Sequence, residues 1–138
     1  MGHITGGCLC GEVRYECESE PVVTAICNCT NCQRQTASAF SVIVGVSKGS
    51  IKFTSGKTAF FESLGDSGKP VYRHFCNKCG TPIYSDVEST PDLVWIKQGS
   101  VDDTSKLTPQ ISLYMKSAQD WVTLNDSIAQ FQTTPPAQ

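Results

Sequence analysis

Gly7-Cys-Leu-Cys-Gly11 near the start of the chain and Cys76-Asn-Lys-Cys-Gly80 in its second half are the stretches that decide how this sequence folds. A gap of one or two residues presents two thiolates to one tetrahedral ion at about 2.3 Å, whereas a disulfide across the same gap closes a strained ring. The glycine after each pair permits the tight turn of a zinc knuckle. Together Cys8, Cys10, Cys76 and Cys79 make a closed four-thiolate site. Its ligands come from distant parts of the chain, so the metal clips the first expected strand to the sixth and supplies folding energy.

Cys27-Asn-Cys29-Thr-Asn-Cys32 holds three more of the eight cysteines. Three protein ligands with one position left over are the pattern of a catalytic zinc, which makes Cys27, Cys29 and Cys32 the candidate reactive centre. The plain alternative is a distant fourth ligand that closes the site. Cys17 is the natural candidate for that ligand, but strand parity puts it with Val13 and Tyr15 and away from Glu12, Arg14 and Glu16. It reads as a small buried hydrophobe. The cofactor expectation is two zinc ions per chain, one structural and one catalytic.

With 138 residues the chain is long enough for one domain with a real core, expected over residues 1–138 with its body at about 6–131. A net charge of −2, a pI near 5.6 and scattered cations give no footprint for nucleic acid. The start MGHITGGCLC has neither the basic nor the apolar region of a signal peptide, and no run approaches the roughly 20 apolar residues of a membrane span. A cytoplasmic, reducing location with no membrane partner is expected, and it favours metal over disulfides.

Short β-branched and aromatic runs predict strands over Glu12–Cys17, Val22–Cys27, Phe40–Val46, Ile51–Phe53, Thr58–Leu64, Val71–Phe75, Pro82–Ser85, Leu93–Gln98 and Ile111–Met115. Turn signals such as Gly65-Asp-Ser-Gly68 separate them, which predicts a mainly β fold of antiparallel sheets. Helix is expected only over Thr30–Ala39, whose first turn would aim N–H groups at thiolates or an anion beside the metal, and in a short turn near Ser117–Trp121. The tail Thr133–Gln138 reads as disordered.

His3 and His74 read as ordinary residues of a frayed terminus and a strand, with a supporting role beside Cys76 as the alternative for His74. Arg34 and Arg73 lie near metal cysteines. Either could hold a substrate carboxylate, or simply compensate thiolate charge.

The ordered strings Gly7-Cys-Leu-Cys-Gly-Glu-Val-Arg-Tyr15, Cys27-x-Cys-x-x-Cys32 with Ser38-Ala-Phe40, Arg73-His-Phe-Cys-Asn-Lys-Cys-Gly-Thr81 and the late Trp121 resemble the glutathione-dependent formaldehyde-activating enzyme family, over about Gly6 to Phe131. The resemblance implies a β-tent fold, a structural zinc on Cys8, Cys10, Cys76 and Cys79, a catalytic zinc on Cys27, Cys29 and Cys32, and condensation of formaldehyde with glutathione to S-hydroxymethylglutathione. The chain departs from the family's pattern at three positions. Asn28, Gln33 and Ser112 stand where many members have His, Arg and His.

Two functions follow as expectations. The first is a zinc-dependent carbon–sulfur lyase acting on adducts of a small thiol such as glutathione with an aldehyde. The second is a zinc-stabilised binding module without turnover.

Overall fold

The computed structural model describes residues 3–135. Eleven strands form two sheets: β1 (Ile4–Gly7), β2 (Arg14–Cys17), β3 (Val23–Cys27), β4 (Ser41–Ser47), β5 (Ile51–Ser55), β6 (Ala59–Leu64), β7 (Pro70–Phe75), β8 (Pro82–Val87), β9 (Leu93–Lys97), β10 (Ile111–Leu113) and β11 (Ala129–Gln130). One sheet has three strands in the order β1-β2-β5, the other eight in the order β11-β10-β3-β4-β9-β8-β7-β6. Among the described residues a single α-helix, α1 (Thr30–Thr36), follows β3, and 3-10 turns occupy Gln98–Ser100 and Met115–Ser117.

The mainly β expectation holds, and every predicted run overlaps a strand. Pairing is antiparallel except at β10, which runs parallel to both β3 and β11. Two strands were not expected. Ile4-Thr-Gly-Gly7 carries two glycines, which strands disfavour, yet it pairs along β2 from Ile4↔Cys17 to Gly7↔Arg14. β11 has only two residues, too few for any period to register.

The expected helix over Thr30–Ala39 stops at Thr36. Ala37 turns left-handed at φ 51°, and its N–H returns to Arg34 O, so the chain can enter β4. The tail is ordered at Thr133, where the carbonyl accepts from Tyr114 N at 2.9 Å; Phe131 O accepts from Met115 N at 2.9 Å. The last three positions of the expected disordered tail, 136–138, lie outside the described residues.

Residues opposite each other in register share a sheet face, and this sorts the eight-stranded sheet into two sides. Val44, Val46, Val94 and Ile96 face Val13, Tyr15 and Cys17 of the small sheet and its approach, forming the core with Ile4, Ile83, Val101 and Leu107. Each fully buried Val or Ile of this set contributes about 1.5–3 kcal/mol. The Tyr15 hydroxyl, which could not be buried unpaired, meets Ser100 Oγ at 2.7 Å. At β7–β8 the register shifts between His74↔Tyr84 and Phe75↔Pro82. Ile83 is the extra residue of this bulge, which lets it join Tyr84 on the core side.

The opposite side carries Ile43, Gly45, Trp95, Lys97, Ser85, Arg73, Val71 and Val87, related through Ile43↔Lys97, Gly45↔Trp95, Trp95↔Ser85, Ser85↔Arg73 and Val71↔Val87. It faces a cavity rather than a second sheet. Gly45 is what admits Trp95 there, since a Cβ at Gly45 would stand 3.0 Å from Trp95 Cζ3. Among the described residues, no helix is long and apolar enough to cross a membrane.

Candidate metal centres and cavity

The seven clustered cysteines assemble into the two groups read from the sequence. In each group all Sγ atoms lie within 4.8 Å of one another. Cys8 and Cys10 lie in the β1–β2 loop and Cys76 and Cys79 in the β7–β8 turn, so this group bridges the small sheet and the large one. The expected first and sixth strands are β2 and β7.

Local chemistry builds the four-cysteine pocket. Gly11 and Gly80 take φ +82° and +83°, as the knuckle turn requires. Backbone N–H groups point at sulfur, from Val13 to Cys8 Sγ at 3.3 Å and from Lys78 to Cys76 Sγ at 3.4 Å. Thr81 ties the halves: its hydroxyl meets Cys79 Sγ at 3.2 Å and accepts from Leu9 N at 3.1 Å. Those contacts hold the Cys79 thiol at about 5, well below the usual range. The sulfurs of Cys8 and Cys10 are 3.5 Å apart and those of Cys10 and Cys76 3.8 Å. A tetrahedron with bonds of about 2.3 Å has edges of about 3.8 Å, so four soft donors at this spacing fit zinc.

In the second group Cys27 ends β3, Cys29 caps α1 and Cys32 lies in its first turn. Cys29 Sγ accepts from Cys32 N at 3.3 Å, so the N–H of the third helical residue serves a ligand sulfur. Cys27 and Cys32 are buried and Cys29 half-buried. Cys32 is held as a thiolate, down to about 2, by hydrogen bonds from Cys27 and Cys29 and by the Lys97 and Arg73 cations. Cys27 is pushed up by its contacts with the same two sulfurs. Three soft donors this close also suit zinc.

Cys27, Cys29 and Cys32 open onto a cavity of about 810 Å³, whereas none of the four other clustered cysteines lines it. Its wall combines the sheet face already described with Leu113, Tyr114 and Asp66. Tyr114 has a left-handed backbone, φ 57°. Burial and a hydrogen bond with Asp66 raise its hydroxyl to about 12, so it is protonated at neutral pH.

Arg73 lines this cavity and also a neighbouring hollow of about 400 Å³, which Arg34 lines too; the two share Asn31. Arg73 is buried and donates from Nε to Ser63 Oγ at 3.1 Å and from Nη1 to Gln35 Oε1 at 3.0 Å. Arg34 is exposed.

Cys17 belongs to neither group. It is fully buried, with Sγ 3.2 Å from Ser50 Oγ. His74 lies on the core side, stacked on Tyr84 at 4.2 Å with Nδ1 2.8 Å from Thr58 Oγ1, and lines neither cavity. His3 is 4.0 Å from Glu16.

The three departures from the family pattern form one cluster behind the triplet. Asn28 Nδ2 donates to Ser112 Oγ and to Leu113 O, and Gln33 Nε2 donates to Asn28 O at 2.7 Å and Ser117 O at 2.9 Å. Gln119 Nε2 donates to Gln33 Oε1 at 3.3 Å and Trp121 Nε1 to Gln119 Oε1 at 2.7 Å, which brings the late tryptophan into the same chain of bonds. None of Asn28, Gln33 and Ser112 lines the cavity.

Sequence reading missed Lys97, Ser85, Trp95 and Tyr114. The one available signal was Lys97, a cation ending the otherwise apolar strand Leu93-Val-Trp-Ile-Lys97, and it is equally what a strand end at solvent would show.

This combination of a two-sheet β fold and two cysteine groups defines the class. The family model for glutathione-dependent formaldehyde-activating enzymes matches residues 3–117, and the chain belongs to that family. A Halomonas elongata protein named "Putative glutathione-dependent formaldehyde-activating enzyme" is 26% identical over 125 residues, covering 86% of this chain and 79% of that one. A Fusarium vanettenii protein of the same name is 26% identical over 87 residues, 56% of this chain; the match spans 46% of its length, under half. In fold, a crystal structure of a Rhodobacter sphaeroides protein superposes with a TM-score of 0.59 at 17% identity, covering 74% of this chain and 91% of that one.

Proposed function

We propose that the protein is a carbon–sulfur lyase that makes and breaks adducts between a small thiol, glutathione in the family's name, and an aldehyde such as formaldehyde. One observation carries this reading: of the two cysteine groups, the three-cysteine one opens onto the cavity and the four-cysteine one joins the two sheets. The four-cysteine group is then the structural site and the triplet the catalytic one.

Zinc held by Cys27, Cys29 and Cys32 would supply a Lewis acid with a position for the substrate thiol, lowering its pKa. The chain's own residues do the rest. Lys97 and Arg73 add positive charge beside the triplet and favour a thiolate there. Tyr114, protonated at neutral pH, directs its one proton at Asp66 and holds that carboxylate at the cavity wall. Arg34, exposed at the smaller hollow that Arg73 also lines, receives a carboxylate of the thiol. In the addition the C–S bond forms and the carbonyl π pair moves to oxygen, which takes the thiol's proton.

The test is Cys29→Ser, with metal analysis, thermal melting and exchange NMR of thiol–aldehyde mixtures. Loss of one zinc equivalent and of accelerated exchange with the melt preserved is expected. A wild-type protein that retains both metals against chelator and accelerates no exchange would instead be a binding module.

A further inference from the structure

The cavity holds more positive charge than a neutral one-carbon aldehyde needs. Arg73, Lys97 and Lys116 line it, and Asp66, already bonded to Tyr114, is the sole acidic side chain among the described lining residues. Arg73 is 9% exposed and Lys97 5%. Their hydrogen bonds run to neutral groups, Ser63 and Gln35 for Arg73 and Ser41 Oγ at 2.8 Å for Lys97. Three thiolates and a divalent ion carry one net negative charge, so two buried cations leave one positive charge over when the bound adduct is neutral. Buried charge without a counterion is unfavourable.

Ser85 points to what cancels it. The residue is 5% exposed, lines the cavity, and sits in register between Arg73 and Trp95. Its Oγ is buried with no hydrogen-bond partner among the described residues. A buried hydroxyl left unpaired is costly, and such groups in folded proteins are paired with something. An orphan hydroxyl on one cavity wall with an ammonium and a guanidinium makes a set of donors, the complement of a carboxylate. Lys97 bonds Ser41, which stands opposite Cys27 in the β3–β4 register, and Arg73 bonds Gln35, three residues beyond Cys32 on α1, so both cations lie close to the triplet. A ligand that reaches them and the triplet is short: its carboxylate is joined almost directly to the carbon bearing sulfur. The carboxylates of glutathione are several bonds from its sulfur, and suit the outer hollow at Arg34.

Building on the thiol–carbonyl reading of the triplet, we propose that the carbonyl substrate is a 2-oxo acid of the glyoxylate type, its carboxylate held by Ser85, Lys97 and Arg73. The thiol adds to the aldehyde carbon, a C–S bond forms, the π pair goes to oxygen and the thiol's proton follows it. The product is a 2-hydroxy-2-thioether acid, and nothing is oxidised or reduced.

Two measurements on the zinc-loaded protein test this. In calorimetry, (2-hydroxyethylthio)acetate, an unreactive mimic of the adduct, should bind about tenfold or more tighter than its carboxamide, the usual scale of a charge-assisted contact. Ser85→Ala and Lys97→Met should each remove most of that preference; Ser85→Ala keeps the test open if Lys97→Met fails to fold. Equal binding of acid and amide by the wild type overturns the proposal, whether or not turnover is seen. In exchange NMR, glyoxylate should outrun formaldehyde with both glutathione and 2-mercaptoethanol. A preference confined to glutathione would place the carboxylate on the thiol and overturn the proposal. Failure with every thiol and aldehyde would sink the lyase reading, and the calorimetry would still decide the carboxylate site.

Discussion

Asn28 and Ser112, 84 residues apart, are joined by a 2.9 Å hydrogen bond from Nδ2 to Oγ, and both are fully buried. Asn28 lies between two cysteines of the triplet, and the same amide donates to Leu113 O at 2.8 Å. The bond therefore fixes the cysteine loop to β10. The neighbouring Gln33 grips the loop from its other side, so the positions where this chain leaves its family's pattern act on how the triplet is held, not on what enters the cavity.

Replacing Asn28 by Ala should accordingly loosen the triplet. The variant leaves the Leu113 carbonyl without this donor and the Ser112 hydroxyl without its amide partner, at a cost of about 1–3 kcal/mol. Supports of metal ligands are worth about 10- to 100-fold in affinity. Chelator competition should show one zinc equivalent released that much more readily, with the other unchanged. Unaltered release of both would mean that the loop is held by its helix alone.

Cys76→Ser should prevent folding. Cys76 is fully buried in the core cluster and belongs to the group that joins the two sheets. A structural zinc contributes about 10 kcal/mol or more to folding, comparable with the whole stability of a domain at about 5–15 kcal/mol. Expression as soluble protein with a cooperative melt and two zinc equivalents would contradict the structural role.

Both cysteine groups were legible from sequence because their ligands are set by gaps of one or two residues, and the glycine turns of the four-cysteine group by the next residue. The sheet face was harder. Lys97, Ser85 and Trp95 share a wall only because β8 and β9 pair in one register, and the sequence alone does not fix which parity meets the core. Ile83 shows why: the bulge shifts it to the core side, where strict alternation from Ser85 would place it on the cavity side. β1 escaped notice because Gly6 and Gly7 dilute its pattern, and its pairing with β2 is long-range.

Gly45→Ala tests the cavity wall. Alanine relieves the conformational cost of glycine in a strand, roughly 0.5–1 kcal/mol, but its Cβ would meet the Trp95 ring at 3.0 Å. Overpacking costs about 1–3 kcal/mol, so a net loss of about 1 kcal/mol is expected. Trp95 should also shift, changing its fluorescence in a Trp121→Phe background. An unchanged spectrum together with raised stability would show that the ring has room to spare.

Cys17→Ala separates the eighth cysteine from the metal groups. Its side chain alternates into the core with Tyr15, and Sγ contacts Ser50 Oγ at 3.2 Å. Removing a small buried group and one weak contact should cost about 1 kcal/mol, a modest drop in the melting temperature. Metal content should stay at the wild-type value, because the sulfur lies outside both groups. If the variant instead lost a zinc equivalent, Cys17 would be the fourth ligand of the triplet. The position assigned to the substrate thiol would then be filled by the protein itself, and the binding-module reading would replace the lyase.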